Sequence, residues 1–207
     1  ALRDKDLGIW NEITWKEYHD NVSYLALGLS KKGFKLGDVI GLIGDNKPSW
    51  LFFEIAAQAV GGMSLGIYRD TLDEEVGYLI NAAKVNFAYA EDQEQVDKLL
   101  SIKRAKNNNI TIFYEDSRGL KELNDPHIID MLDLIKEGKA IAAKNPNKYN
   151  QLIDKISSDQ NAILCTTSGT TSNPKLAMLP GGKFIEHVVR YLNVDPKNID
   201  DEYVSVL

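Results

Sequence analysis

The 207-residue chain predicts an α/β fold, a mainly parallel sheet covered by helices on both faces. Short apolar runs such as Val39-Ile40-Gly41-Leu42-Ile43-Gly44 read as buried strands, and stretches with helical spacing separate them. The two kinds of segment alternate with few breaks, as right-handed β-α-β crossovers require. Composition is that of a globular protein, 43% hydrophobic and 26% charged. The length suffices to bury a core.

Each element has a local reason. Thr14-Trp15-Lys16-Glu17 is a capping box, with Thr14 as N-cap and Glu17 three residues on. The helix behind it carries Tyr18, Val22, Leu25, Ala26 and Leu29 at helical spacing, and Gly33 stops it. After the strand at 39–44, Asp45-Asn46-Lys47-Pro48 is a turn that places Pro48 near the first position of a helix through Trp50, Phe53, Ile55 and Ala57. Met63 to Tyr68 is a strand. Thr71 and Glu74 have the spacing to cap a short helix containing Val76, Leu79 and Ile80. Val85 to Ala90 is a strand, Gln93 to Ile102 a helix and Ile110 to Tyr114 a strand. Helices are expected at Ile128–Lys136 and Lys148–Ile156. Strands follow at Asn161–Thr167 and Leu176–Leu179, then a helix at Lys183–Leu192 with Phe184, Val188, Val189 and Leu192 on one face.

Several function classes are disfavoured. The net charge of −6 argues against a nucleic-acid partner. Lys103, Arg104 and Lys106 form one small basic cluster, read as a solvated helix end. The single cysteine, Cys165, permits no intrachain disulfide and fits a reducing compartment. Its apolar run predicts a small buried core residue. His19, His127 and His187 lie far apart, without the spacing of a metal site. No apolar run reaches the roughly 18–20 residues of a membrane span.

The chemistry concentrates in Thr166-Thr167-Ser168-Gly169-Thr170-Thr171-Ser172-Asn173-Pro174-Lys175. Six of these ten residues carry hydroxyls, and a lysine closes the run. A strand feeds directly into it. Backbone N–H groups in a tight turn form an anion-binding concavity, hydroxyls add donors, and lysine adds a point charge. Such a loop suits nucleotide phosphates, although the same residue types also make ordinary polar turns. It is not a Walker A loop, because no second glycine precedes Lys175. The glycines at 41 and 44 lack the spacing of a dinucleotide fingerprint.

The order of residues is more specific than their composition. Thr167-Ser168-Gly169-Thr170-Thr171, followed by Pro174-Lys175, resembles the TSGTTGxPKG loop of the adenylate-forming (AMP-binding) superfamily of acyl-CoA synthetases, luciferases and peptide-synthetase adenylation domains. Thr14 to Tyr18 resembles the superfamily's first motif, and Ala59 to Tyr68 its second. Asn46-Lys47-Pro48-Ser49-Trp50 resembles the N-x-P-x-W segment of the long-chain fatty-acid subgroup, and the stretches from Ala90 to Leu99 and from Asn173 to Leu179 also resemble that subgroup. Ser172 and Leu176 stand where most members have glycine. Pro180-Gly181-Gly182 stands where many have a Ser/Thr-His pair, so no histidine role carries over.

The resemblance implies the N-terminal part of a long-chain fatty-acid–CoA ligase. Residues 1–207 are expected to lie within the AMP-binding domain, with an internal break near 145–160 and the C-terminal domain absent. It implies MgATP, a long-chain fatty acid and coenzyme A as substrates. It assigns the β- and γ-phosphates to Thr167, Ser168, Gly169, Thr170, Thr171, Ser172 and Lys175. The catalytic lysine, the magnesium-binding Glu and the adenine contacts are expected beyond Leu207, so the 207-residue piece should be inactive alone. Cytoplasmic placement is expected. A fatty-acid substrate leaves room for peripheral membrane contact, although no basic amphipathic helix is evident. Two readings compete: an adenylating enzyme for another carboxylic acid, and a non-catalytic nucleotide- or lipid-binding module that kept the fold.

Overall fold

A computed structural model describes residues 1–106, 109–167 and 174–205. It opens with a hairpin, β1 (Leu2–Asp6) and β2 (Ile9–Ile13), joined by Leu7-Gly8 with both φ values positive. That is the geometry of a two-residue hairpin turn matched to strand twist. The helix α1 (Trp15–Lys31) starts as its sequence dictates. Thr14 Oγ1 accepts from Glu17 N at 3.2 Å, and Glu17 Oε2 accepts from Thr14 N at 2.8 Å. It ends in a Schellman arrangement: Phe34 N donates to Leu29 O, Gly33 N donates to Ser30 O, and Gly33 sits at φ +96°.

The core sheet follows. Its parallel strands are β3 (Val39–Ile43), β4 (Met63–Ile67), β5 (Phe87–Ala90), β6 (Thr111–Tyr114), β7 (Ile128–Asp130) and β8 (Asn161–Thr167). The strand β9 (Lys175–Pro180) returns antiparallel beside β8. Spatial order is β7-β6-β5-β3-β4-β8-β9. All five residues of β3, the central strand of this order, are buried.

Helices connect the strands and cover both faces. On one face, α3 (Asp73–Ala82) and α4 (Gln93–Lys106) bring Val76, Leu79, Ile80, Val96 and Leu99 against Ile43, Leu65, Ile67 and Ile112. On the other, α1, α2 (Pro48–Ala59) and α5 (Met131–Lys144) pack Leu25, Leu29, Phe53 and Leu134 against Ile40, Leu42, Tyr89 and Phe113. Burying each such side chain contributes about 1.5–3 kcal/mol. A short α6 (Lys148–Ile153) and α7 (Gly181–Val194) complete the described elements. In α7 the apolar face is present, but Phe184, Ile185, Val188 and Val189 are all exposed.

The expected α/β architecture is therefore the observed one, with local differences. Residues 128–130 form β7 rather than the first turn of a helix. The β-branched Ile128 and Ile129 pair with the open edge of β6, and Asp130 caps α5 by accepting from Leu132 N at 2.8 Å. Thr71 does not cap α3. Leu72 holds that position without a side-chain bond, and Asp73, Glu74 and Glu75 complement the helix dipole instead. Thr71 contributes its carbonyl to Lys98 Nζ at 3.0 Å. Cys165 is exposed, not buried. β4 pairs with β8 only at Ile163 and Leu164, so Cys165 lies beyond the paired stretch, although β4 itself runs on to Ile67.

Candidate functional site: the β8–β9 loop and the carboxyl edge of the sheet

The hairpin β8–β9 fixes the base of the hydroxyl-rich loop. Cross-strand register pairs Ile163 with Leu179, Cys165 with Ala177 and Thr167 with Lys175. Directly opposed residues project from one face, so Thr167 and Lys175 share a side. Parallel pairing of Ile163 with Ser64 puts that side on the α2 face of the sheet. Thr167 Oγ1 also donates to Lys175 O at 3.3 Å, which closes the neck of the loop. From α3, Tyr78 OH donates to Pro174 O at 3.2 Å and holds the returning arm.

Of the sequence-predicted phosphate residues, Thr167 and Lys175 are thus neighbours and both exposed. Among the described residues no carboxylate pairs with Lys175, so its charge is available to an anion. Ser168, Gly169, Thr170, Thr171 and Ser172 lie outside the described residues. Leu176, which stands in place of a glycine, is an ordinary strand residue without positive φ, and its side chain packs against the core cluster beside α3 and α4. A leucine there adds apolar contact at no backbone cost.

The carboxyl ends of the parallel strands hold a second polar group that sequence reasoning missed. Glu91, immediately after β5, accepts from Asp45 N at 2.6 Å and from Lys47 Nζ at 2.8 Å. Arg69, just after β4, lies 3.8 Å from Glu91 Oε2 and binds Asp45 Oδ2 at 2.6 Å. Burial opposes the charge on Lys47, but its bond to Glu91 and the charges of Glu115 and Glu91 outweigh this and leave its pKa raised. Beside this group, the hydroxyls of Ser49 and Tyr89 converge on Glu115 Oε2, each at 2.5 Å. Burial first, and then the Glu115 charge, raise the Tyr89 hydroxyl well above its ordinary value, so it stays a proton donor. Asn46 Nδ2 donates to Ser205 Oγ at 2.5 Å, and Arg3 pairs with Glu202, so the 202–205 segment meets Asn46 at this edge. The sequence signals for Glu91 were a carboxylate directly following a buried strand and its place in the stretch from Ala90 to Leu99, neither of which gave it a role.

No cluster of His, Cys, Asp and Glu among the described residues could hold a metal ion. No described helix is long and apolar enough to cross a membrane. Among the described residues, the arrangement offers an anion the Thr167 hydroxyl and the Lys175 ammonium on one side of a closed loop neck.

Comparison with known proteins decides the family. Residues 1–207 match the family described as AMP-binding enzyme over their whole length. The chain is a member of that family. Among AMP-binding relatives, it is 31% identical over 180 residues to the long-chain-fatty-acid–CoA ligase ACSBG2 of Rattus norvegicus, covering 86% of this chain and 26% of the relative. It is 28% identical over 180 residues to ACSBG1 of the same organism, covering 86% of this chain and 24% of that relative. The chain therefore spans about a quarter of the length of these ligases. The fold is shared with the luciferase-like enzyme of the Zophobas morio mealworm, at TM-score 0.71 and 16% identity, over 88% of this chain and 39% of that one. It is shared also with ATP-bound MatB from Rhodopseudomonas palustris, at TM-score 0.68 and 21% identity, over 88% of this chain and 32% of that one. Membership of the AMP-binding family accords with the mainly parallel sheet.

Proposed function

We propose that the protein containing this chain activates a long-chain fatty acid in two steps. The fatty-acid carboxylate attacks the α-phosphorus of MgATP, forming an acyl-adenylate and releasing pyrophosphate. The thiol of coenzyme A then attacks the acyl carbon, forming the thioester and releasing AMP. The observation that carries this reading is the family match over residues 1–207, joined to relatives named as long-chain-fatty-acid–CoA ligases.

The loop's part is positioning and charge neutralisation of the leaving pyrophosphate. Thr167, Ser168, Thr170, Thr171 and Ser172 supply hydroxyl donors, Gly169 the backbone turn and Lys175 the charge. Magnesium arrives with the ATP phosphates as part of the substrate. Residues 1–207 lie in the N-terminal AMP-binding domain on this reading, and the acyl pocket and catalytic lysine lie elsewhere in the protein. Cytoplasmic placement, with contact at a membrane surface where the fatty acid is delivered, accompanies it.

Fatty-acid-dependent exchange of pyrophosphate into ATP tests the proposal. The full-length protein should catalyse exchange with long-chain fatty acids and not with short or aryl acids. The isolated 207-residue chain should catalyse none. A full-length protein silent across a panel of fatty acids would sink the substrate assignment. Exchange by the isolated chain would sink the division of labour.

A further inference from the structure

The order β4-β3-β5-β6-β7 is that of a doubly wound sheet whose connections reverse across β3 and β5. In such sheets ligands bind in the crevice outside the carboxyl ends of the reversing strands. Here that crevice lies beyond Ile43 and Ala90, and a side chain of the chain itself fills it. Glu91 N donates to Ile43 O at 3.0 Å, which sets the residue between the two strand ends. Its side chain is only 8% exposed. Gly44 makes the room, since a Cβ at that position would stand 2.7 Å from the Cβ of Glu91.

What surrounds the carboxylate has the character of an anion site. The Asp45 N–H of the turn after β3 points at one oxygen, at 2.6 Å, and Lys47 Nζ binds the other at 2.8 Å. The Arg69 guanidinium flanks them at 3.8 Å. A turn amide, a lysine and an arginine form a donor set suited to a bound anion. Arg69 is already partly neutralised by Asp45 at 2.6 Å and Asp92 at 3.5 Å. Lys47, which also feels the Glu115 charge, is the main cation left to the crevice, so a monoanion suits it better than a phosphate dianion.

We propose that the crevice is an anion-binding site for a small monocarboxylate, and that its resident ligand is the Glu91 side chain. The site binds the loops after β3, β4 and β5 to one point. It fixes the Asn46–Trp50 segment and closes the switch-point crevice to a nucleotide.

Glu91→Ala in the intact protein tests this by thermal melting in formate, acetate, phosphate and chloride at matched ionic strength. The variant should melt roughly 5–15 °C below the parent in chloride, as expected when one member of a buried ion pair is removed. Formate or acetate should recover part of that loss in the variant and none in the parent, with phosphate no better than chloride. Equal melting of the variant in formate and chloride would overturn the proposal, as would a formate effect of the same size in the parent. Should Glu91→Ala not fold, Glu91→Gln keeps the shape and removes the charge. Labelling of Lys47 by an amine-directed reagent, read by peptide mass spectrometry, should then be several-fold faster than in the parent. An unchanged rate would overturn the proposal.

Discussion

Gly138 of α5 lies against the backbone carbonyl of Tyr24 in α1: a Cβ at position 138 would stand 1.8 Å from that oxygen. Gly28 makes the reciprocal approach, with its Cβ position 2.8 Å from the Leu134 carbonyl oxygen and side chain. The two helices meet backbone to backbone, and Lys32 and Glu137 close the contact with a 2.9 Å ion pair.

Glycine to alanine in an exposed helix interior normally gains about 1 kcal/mol. At Gly138 the sign should reverse, because the obstacle is backbone and cannot rotate away. Gly138→Ala should cost at least about 2 kcal/mol, in the range of overpacked cores. A shift of the urea midpoint to lower concentration with little change in slope checks it. A neutral or stabilising substitution would show that the helices separate more readily than this contact implies.

Glu54 of α2 is held by burial above the ordinary carboxylate pKa, although Ser64 Oγ donates to it at 3.2 Å and acts in the opposite sense. A carboxyl whose folded pKa is raised binds its proton more tightly folded than unfolded. Its penalty on stability is therefore absent below the unfolded value near 4.5 and grows as pH rises through the folded value. Glu54→Gln should raise the melting temperature at pH 7, by about 2–4 °C for each kcal/mol recovered. The gain should shrink toward nothing below pH 4.5. Melting curves of both proteins from pH 4 to 8 check the sign, and a gain that grows on acidification would contradict the burial argument.

Lys175 presents its charge on the same side as Thr167, at the neck of the loop. If it serves the departing pyrophosphate, Lys175→Ala in the full-length enzyme should slow adenylate formation by roughly 10²–10³-fold, the size of a lost charge-stabilising donor. Thioester formation from supplied acyl-adenylate should change far less. Single-turnover measurement of the two half-reactions separates them, and equal slowing of both would refute a role confined to pyrophosphate.

How much of this was legible follows from how local each cause is. Thr14 and Glu17 are three residues apart, and the capping box they announce is present atom for atom. Pro48 likewise opens α2. The hairpin at Leu7-Gly8 was missed because leucine is a poor marker of positive φ and its strands carry mixed charge rather than apolar alternation. Ile128 read as helix because the edge of β6 that captures it is remote in sequence. Cys165 read as buried because its neighbours in sequence are apolar, whereas exposure depends on where the pairing of β4 with β8 ends. At the site, the residue order around Thr167 and Lys175 was visible as a string. The Glu91 cradle was not, since it joins residues 46 apart.

The register of β8 against β9 gives the loop an arithmetic of its own. Thr167 and Lys175 share a face because each sits an even number of residues from the cross-strand partners Ile163 and Leu179. One residue added to either arm, between that pair and the neck, turns its hydroxyl or its ammonium to the opposite side of the sheet, while two added restore it. Changes of length between positions 168 and 174 leave that parity untouched. The hairpin therefore tolerates variation in the loop and counts residues in its arms in pairs, so the side on which Lys175 presents its charge is set by odd and even numbers rather than by any single contact.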